Sequence, residues 1–177
     1  RVLASDVATI EVPDELEDDT EAGAAARSRL GAHLAGFGEE FASLGIQLGA
    51  RYDTSPLIVA DGIEPPVGTP VDYVPTTCPG GRAPHLWLED GTSTFDRFGK
   101  WFTLLKLGAT DVDSQPLEDA AIAQSIPLSV VEIEEPAART LYERDLVLVR
   151  PDGHVAWRGD VLPDDLADLF AKVVGTR

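Results

Sequence analysis

The chain has 177 residues, and its 44% apolar content is enough for one domain of about 100 to 150 residues with some additional structure. It carries 31 acidic and 14 basic residues, and the resulting net charge of −17 disfavours nucleic acid and anionic membrane surfaces as partners. No apolar run approaches the roughly 20 residues that span a bilayer. The single cysteine, Cys78, excludes an internal disulfide and is typical of the reducing cytoplasm, where we expect the protein.

The N-terminal segment is predicted to be an arm built around one long helix. The chain begins with Arg1 and contains no methionine, which indicates a piece of a longer polypeptide. Thr20 is a candidate N-cap for a helix from Glu21 to Leu44, and Gly45 is its candidate end. The apolar stripe of this helix consists of Leu30, Leu34, Phe37, Phe41 and Leu44.

A second body is expected to pack against this helix. Glycine costs about 1 kcal/mol in a helix interior relative to alanine, and this helix contains Gly31, Gly36 and Gly38. Glycines at these positions indicate that something packs closely against the helix.

After the helix, Ile46 to Ala60 is predicted to be extended, as an edge or irregular strand interrupted by a proline. Asp61 to Thr77 is rich in proline and glycine and is predicted to be a long loop with a functional or interfacial role.

From Trp101 onward, strands and helices alternate. A one-turn helix at Asp96 to Gly99 leads into this region. Strands are predicted at Trp101–Leu107, Pro127–Ile133, Asp145–Val149 and Val155–Arg158, and helices at Leu117–Ser125, Pro136–Glu143 and from Asp164 or Asp165 to Gly175. The turn Arg150-Pro151-Asp152-Gly153 joins the last two strands as a hairpin.

This order of elements predicts an α/β, thioredoxin-like fold. Alternation of strands and helices implies a parallel strand pair, and the terminal hairpin adds an antiparallel edge. Residues 61–177 would form this domain, a central mixed sheet with flanking helices. Residues 1–60 would form the linker, the amphipathic helix and an extended arm.

No catalytic or metal-binding residue is predicted. A thioredoxin-like enzyme has reactive cysteines where a helix begins after the first core strand, and the residues there, Gly108 to Asp111, include no cysteine. Cys78 lies about thirty residues upstream and is interpreted as an unpaired, buried thiol; a peroxidatic cysteine is the alternative. The three histidines lack the spacing of a metal site.

One bend is a candidate binding element. Gly80 and Gly81 can present backbone N–H groups, and Arg82 a guanidinium, to an anion or to a neighbouring domain. His85 lies three residues after Arg82 in the same proline-bounded bend. A purely local, turn-stabilising role for these residues is the alternative.

Three groups of segments resemble a known family. They are Pro79-Gly80-x-Arg82-x-Pro84-His85-x-Trp87-Leu88 with Asp90-Gly91 and Phe95-Asp96-x-Phe98-Gly99-x-x-Phe102-Thr103-Leu104-Leu105; Leu148-Val149-Arg150-Pro151-Asp152-Gly153-His154-Val155-Ala156-Trp157-Arg158; and Leu44-Gly45-Ile46-Gln47-Leu48-Gly49-x-Arg51-Tyr52-x-x-Ser55-Pro56. Together they resemble the C-terminal region of the FAD-dependent aromatic-ring hydroxylases, the phenol hydroxylase-like group A flavoprotein monooxygenases.

The resemblance implies a parent enzyme that uses FAD and NAD(P)H to hydroxylate a phenolic or polycyclic aromatic ring. The fragment itself would bind no cofactor and would pack on the N-terminal FAD/substrate domain of the same polypeptide, with Arg82 and His85 at that contact, or support a homodimer. The isolated fragment would be inactive. The alternatives are a stand-alone thioredoxin- or peroxiredoxin-like redox protein that uses Cys78, and a non-catalytic interaction domain.

Overall fold

Four short strands form one sheet in the C-terminal part of the chain. The computed structural model describes residues 11–36 and 42–176. Within them the helices are α1 (Glu21–Ala35), α2 (Leu44–Leu48), α3 (Gln115–Ala123), α4 (Pro136–Tyr142) and α5 (Leu166–Val174), and the strands are β1 (Phe102–Leu107), β2 (Leu128–Ile133), β3 (Leu146–Val149) and β4 (Val155–Gly159). Short 3-10 helices occupy Asp14–Glu17 and Thr94–Arg97.

The sheet is mixed, with the strand order β2-β1-β3-β4. β1 and β2 are parallel, and α3 lies in the crossover connection that a parallel pair requires. β3 runs antiparallel to both β1 and β4. In the turn between β3 and β4, the N–H of Gly153 donates to the carbonyl oxygen of Arg150 at 2.9 Å. The predicted parallel pair and the predicted terminal hairpin are confirmed.

Each face of the sheet has its own apolar core, because successive residues of a strand point to opposite faces. On one face Leu104 packs with Leu117 of α3 and Phe170 of α5. On the other face Leu105 packs with Tyr142 of α4. All five side chains are fully buried. Since full burial of a leucine or phenylalanine contributes roughly 1.5–3 kcal/mol, these two cores hold the sheet and its helices together.

The ends of α5 form as the sequence predicts. The side chain of Asp165 accepts a hydrogen bond from the N–H of Asp168 at 2.8 Å, so Asp165 is the N-cap. Gly175 ends the helix in the left-handed conformation, with φ of 76°. α4 ends one residue earlier than predicted, because Glu143 adopts a left-handed φ of 66°.

The predicted long helical arm is not one helix from Glu21 to Leu44. Thr20 caps α1 as predicted, accepting from the N–H of Gly23 at 3.1 Å, but α1 ends at Ala35. Gly36, a poor helix former, follows its last residue. Phe37 and Phe41 of the predicted stripe lie outside the described residues. Of the remaining stripe, the side chain of Leu34 is 46% exposed, so α1 does not bury this face in the described chain.

Gly45 does not end a helix; it lies in the separate short helix α2. A Cβ atom at this position would overlap the carbonyl oxygen of Thr69, and the N–H of Ile46 donates to the carbonyl oxygen of Pro70 at 3.2 Å. Gly45 is therefore required for close approach of the loop 61–77, which is a tertiary contact that helix-end rules do not include.

Two shorter elements also differ from prediction. The segment after α2, up to residue 60, contains no strand, although the N–H of Val59 donates to the carbonyl oxygen of Ala156 in β4 at 2.8 Å. Its proline removes a ladder donor. The one-turn helix begins at Thr94 rather than Asp96, because Ser93 and Asp96 form a capping box at its N-terminus.

Candidate functional site

The bend at Gly80 and Gly81 is tied into the sheet by its backbone. The N–H of Gly80 donates to the carbonyl oxygen of Val155 at 2.8 Å, and the N–H of Gly81 donates to the carbonyl oxygen of Cys78 at 2.9 Å. Gly80 has φ of 91°, a conformation that favours glycine. Both backbone donors are used within the chain, so of the three predicted anion donors only the Arg82 guanidinium is not occupied by these backbone hydrogen bonds.

Arg82 and His85 both contact the ring of Phe95. We call Arg82, His85, Trp87 and Phe95 the aromatic cluster. The guanidinium carbon of Arg82 lies 5.3 Å from the centre of the Phe95 ring, and the His85 ring makes edge contacts with Phe95 at 5.4 Å and Trp87 at 5.0 Å. Trp87 is 68% exposed. The arrangement is an exposed surface rather than an enclosed catalytic pocket.

A cleft of about 320 Å³ adjoins the aromatic cluster at Arg82. It is bounded by α2, by the loop 61–77 and by Arg51, and both Tyr73 and Arg82 line it. Burial raises the pKa of the Tyr73 phenol, and the nearby Arg82 guanidinium partly opposes that rise. Arg51 pairs with Asp53 at 2.7 Å, but its Nη1 is buried without a hydrogen-bond partner in the described part of the chain.

A buried arginine was missed by the sequence reasoning. The side chain of Arg158 in β4 is fully buried; its Nε donates to Oδ2 of Asp61 at 2.7 Å, and its Nη1 donates to Oε2 of Glu143 at 2.6 Å and Oγ1 of Thr77 at 2.9 Å. Its Nη2 lies 3.1 Å from the Sγ of Cys78. We call these five residues the Arg158 cluster. Burial raises the pKa of Asp61, but the Arg158 hydrogen bond, the Ile63 N–H and the guanidinium charge outweigh burial, so the net pKa of Asp61 is lowered.

The sequence contained one signal for Arg158. It follows the apolar run Val155 to Trp157 on a predicted strand, and a charged residue in a buried strand needs partners of opposite charge. The partners themselves are distant in the sequence, at up to 97 positions of separation, so no local pattern identifies them. Cys78 is buried and free, which confirms its interpretation as a buried thiol.

The segment Gly108 to Asp111, which follows β1, lines a small recess. The recess has a volume of about 200 Å³ and is lined by residues that include Lys106, Thr110 and Asp111. Lys106 pairs with Glu132 at 2.7 Å. Within residues 11–36 and 42–176, no group of three or more His, Cys, Asp or Glu side chains is arranged to hold a metal ion. None of the helices in those ranges is both long and apolar enough to cross a bilayer.

Comparison with known proteins finds one matching family model and relatives much longer than the chain. A family model described as aromatic-ring hydroxylase, C-terminal, matches residues 76–176. The chain is 36% identical over 152 residues to an FAD-dependent monooxygenase, apdD, of Emericella nidulans, covering 82% of the chain and 24% of the relative. It is 36% identical over 173 residues to 2,4-dichlorophenol 6-monooxygenase of Cupriavidus pinatubonensis, covering 84% of the chain and 28% of the relative.

A solved structure shows the same fold in a larger protein. The substrate-free form of the rebeccamycin biosynthetic enzyme RebC superposes with a TM-score of 0.79 at 38% identity, covering 98% of the chain and 32% of the RebC chain. The chain thus spans about a quarter of the length of the curated relatives it matches.

Proposed function

Because this chain belongs to the aromatic-ring hydroxylase C-terminal family, we propose that it is the C-terminal module of a larger, FAD-dependent enzyme that uses NAD(P)H and O2 to hydroxylate a phenolic or polycyclic aromatic ring. The observation that carries this proposal is the match over residues 76–176 together with relatives three to four times longer, one of them named an FAD-dependent monooxygenase. The cytoplasm is the expected location of such an enzyme.

We infer that the module itself would not bind FAD. The cleft of about 320 Å³ lies at the lower end of the roughly 300–1,000 Å³ typical of pockets for drug-sized ligands, and FAD is much larger than those ligands. β1 is followed by Gly108 to Asp111, not by a glycine-rich phosphate loop that opens a helix. FAD would supply the redox chemistry elsewhere in the parent.

The module would instead act by docking on the FAD/substrate domain. Arg82 and His85 belong to the exposed aromatic cluster. Tryptophan and arginine side chains are enriched at protein interfaces. Packed there, the module would help to exclude water from the reaction and to fix the closed form of the enzyme. A homodimer contact through the same module remains part of the proposal.

We propose that the fold is thioredoxin-like without redox cysteines, which would suit this structural role. The strand order β2-β1-β3-β4, with β3 antiparallel to its neighbours and helices on both faces, agrees with that fold. A domain boundary between residues 60 and 61 would separate the arm from this module. The buried position of Cys78 disfavours the stand-alone redox alternative, because a reactive thiol needs access.

The test uses the full-length parent enzyme. We expect Arg82→Ala to weaken docking and to raise the share of NAD(P)H oxidation that yields hydrogen peroxide severalfold, whereas Arg97→Ala, at an exposed ion pair with Asp90, leaves it unchanged. A colourless parent without FAD would refute the enzyme assignment. Unchanged FAD affinity, peroxide yield and oligomeric state in Arg82→Ala would refute the role of Arg82.

A further inference from the structure

The loop 61–77 is an exposed loop that is held at both ends by one buried side chain. Between Gly62 and Pro75 every residue is exposed or partly exposed, whereas Thr76 and Thr77 are buried. Arg158 donates to Asp61 at the start of the loop and to Thr77 at its end, at 2.7 and 2.9 Å. Because a buried arginine must satisfy its donors, this pairing strongly favours a single position for the two ends of the loop.

The middle of the loop is also held. The N–H of Ile46 donates to the carbonyl oxygen of Pro70, and the absence of a side chain at Gly45 lets the backbone of Thr69 approach α2. Four prolines lie between residues 62 and 75, and proline reduces the conformational freedom of the backbone. A loop held at three points and stiffened by proline loses little entropy when a partner binds it.

This rigid loop exposes apolar side chains instead of covering the core. Val67 is 89% exposed, and Ile63 and Val74 are also exposed. Beside them, the cleft between the loop and α2 contains Arg51, whose Nη1 has no hydrogen-bond partner in the described residues. A buried donor without a hydrogen-bond partner is destabilising. Because Nη1 is also screened from water, an acceptor that enters the cleft, or a rotation of the guanidinium toward such an acceptor, would satisfy it.

We propose that the loop 61–77 and the adjoining cleft form the surface on which the N-terminal body of the parent polypeptide docks, with apolar side chains packed on Ile63 and Val67 and an acidic or carbonyl oxygen directed at Arg51. Arg158 is the positioning residue of this surface. The inference rests on the proposed function and extends it, because the contact reaches beyond Arg82 and His85 into the cleft.

The occupant follows from the length of the relatives and from the chemistry of the surface. The chain spans only 24–28% of the two curated relatives, and the family model is that of a C-terminal region, so the rest of such a parent precedes this module. α2, which bounds the cleft, precedes the sheet in the sequence and so belongs to the segment that would connect it to that body. An unpaired arginine donor and exposed apolar side chains together fit a protein surface with an acceptor at its centre.

The experiment compares two exposed valines in the full-length, FAD-loaded parent. Val67 lies on the loop, and Val161 follows β4 and is 72% exposed. In the unsubstituted parent we expect amide hydrogen exchange at residues 62–75 to be about tenfold slower than in the 177-residue chain, because docking covers these residues. Val67→Asp should abolish this difference, while Val161→Asp should preserve it. Neither exposed site contributes to a core, so both variants should fold.

The outcomes separate this inference from the proposed function. A yellow, active parent whose loop amides exchange as fast as in the 177-residue chain would overturn the docking surface and leave the enzyme assignment intact. Loss of protection with Val161→Asp rather than Val67→Asp would overturn it as well. A change in dimerisation alone, without loss of contact to the flavin part, would make a second copy the occupant and refute our choice. A colourless parent would refute the proposed function and the flavin body as occupant.

Discussion

The sheet region and the N-terminal region of this chain use apolar residues in opposite ways. In β3, Leu148 is fully buried between strands and helices, whereas Leu34 of α1 and Val67 of the loop 61–77 are exposed. All three side chains are apolar, but only Leu148 is covered by other residues of the described chain. An apolar stripe therefore predicts that a surface will be covered, not that the same chain covers it.

The largest expected difference is between Leu148 and Leu34. Leu148→Ala should lower the free energy of unfolding of the 177-residue chain by about 3 kcal/mol, because it leaves a cavity in a buried core. Leu34→Ala, at an exposed site, should change it by less than about 0.5 kcal/mol. Urea denaturation measures both, and losses of equal size would contradict the division into a self-sufficient sheet and a partner-dependent arm.

The Arg158 cluster joins the two regions, so its removal should destabilise both. Arg158→Met leaves Asp61 and Thr77 without their partner and should lower the free energy of unfolding by about 3 kcal/mol. This is the lower end of the range for a broken buried ion pair, because Glu143 is half exposed to water. Arg97→Met removes an exposed ion pair and should cost less than about 1 kcal/mol. Thermal unfolding compares them; a loss for Arg158→Met no larger than that for Arg97→Met would show that the cluster does not hold the loop.

Two glycines sharpen the comparison within the N-terminal region. Gly45→Ala should destabilise the chain by about 1–2 kcal/mol, since its new methyl group overlaps the backbone of Thr69. Gly31→Ala should stabilise it by about 0.5–1 kcal/mol, because a Cβ there would meet no described atom within 4 Å beyond the local helix backbone, and alanine is the better helix former. If both substitutions shift the urea midpoint in the same direction, the contact between the loop and α2 is unimportant.

The smallest expected effect is the acid dependence of Asp61. The pKa of Asp61 is lower in the folded chain than the value of about 3.9 in an unfolded one, so its contribution to stability is present above about pH 4 and is lost as the pH falls through the folded-state pKa. Below pH 4, the free energy of unfolding of Asp61→Asn should therefore fall less steeply than that of the wild type, and the difference should be less than about 1 kcal/mol. Acid titrations followed by circular dichroism, with the exposed Asp164→Asn as control, measure this; identical profiles for wild type and Asp61→Asn would exclude the contribution.

Local rules predicted the regular half of the structure. The cap at Asp165, the left-handed Gly175 and the turn closed by Gly153 depend on residues within four positions of each other, and all three form as predicted. The same rules placed one helix from Glu21 to Leu44, where the structure has α1 and a separate α2. Gly45 is the informative failure, because its role is set by Thr69, twenty-four residues away.

The candidate site was predictable only in part. Arg82 and His85 were chosen from an unusual bend, and the structure joins them through Phe95, but the docking role of both is still a prediction. The cleft and the Arg158 cluster had no local signature, because their members are separated by tens of residues. Such sites become visible only when the chain brings the side chains together.

The amino-acid sequence by itself determined the alternation of strands and helices after Trp101, the caps and turns that bound them, and the absence of cysteine at Gly108 to Asp111. These depend on backbone sterics and on periodicities of two and 3.6 residues, which act over short distances. Only the tertiary structure decided that Arg158 holds both ends of the loop 61–77 and that Arg51 faces a cleft. In such contacts the cost of burying a charge is offset by partners that are distant in the sequence, and those partners come together only in the folded chain.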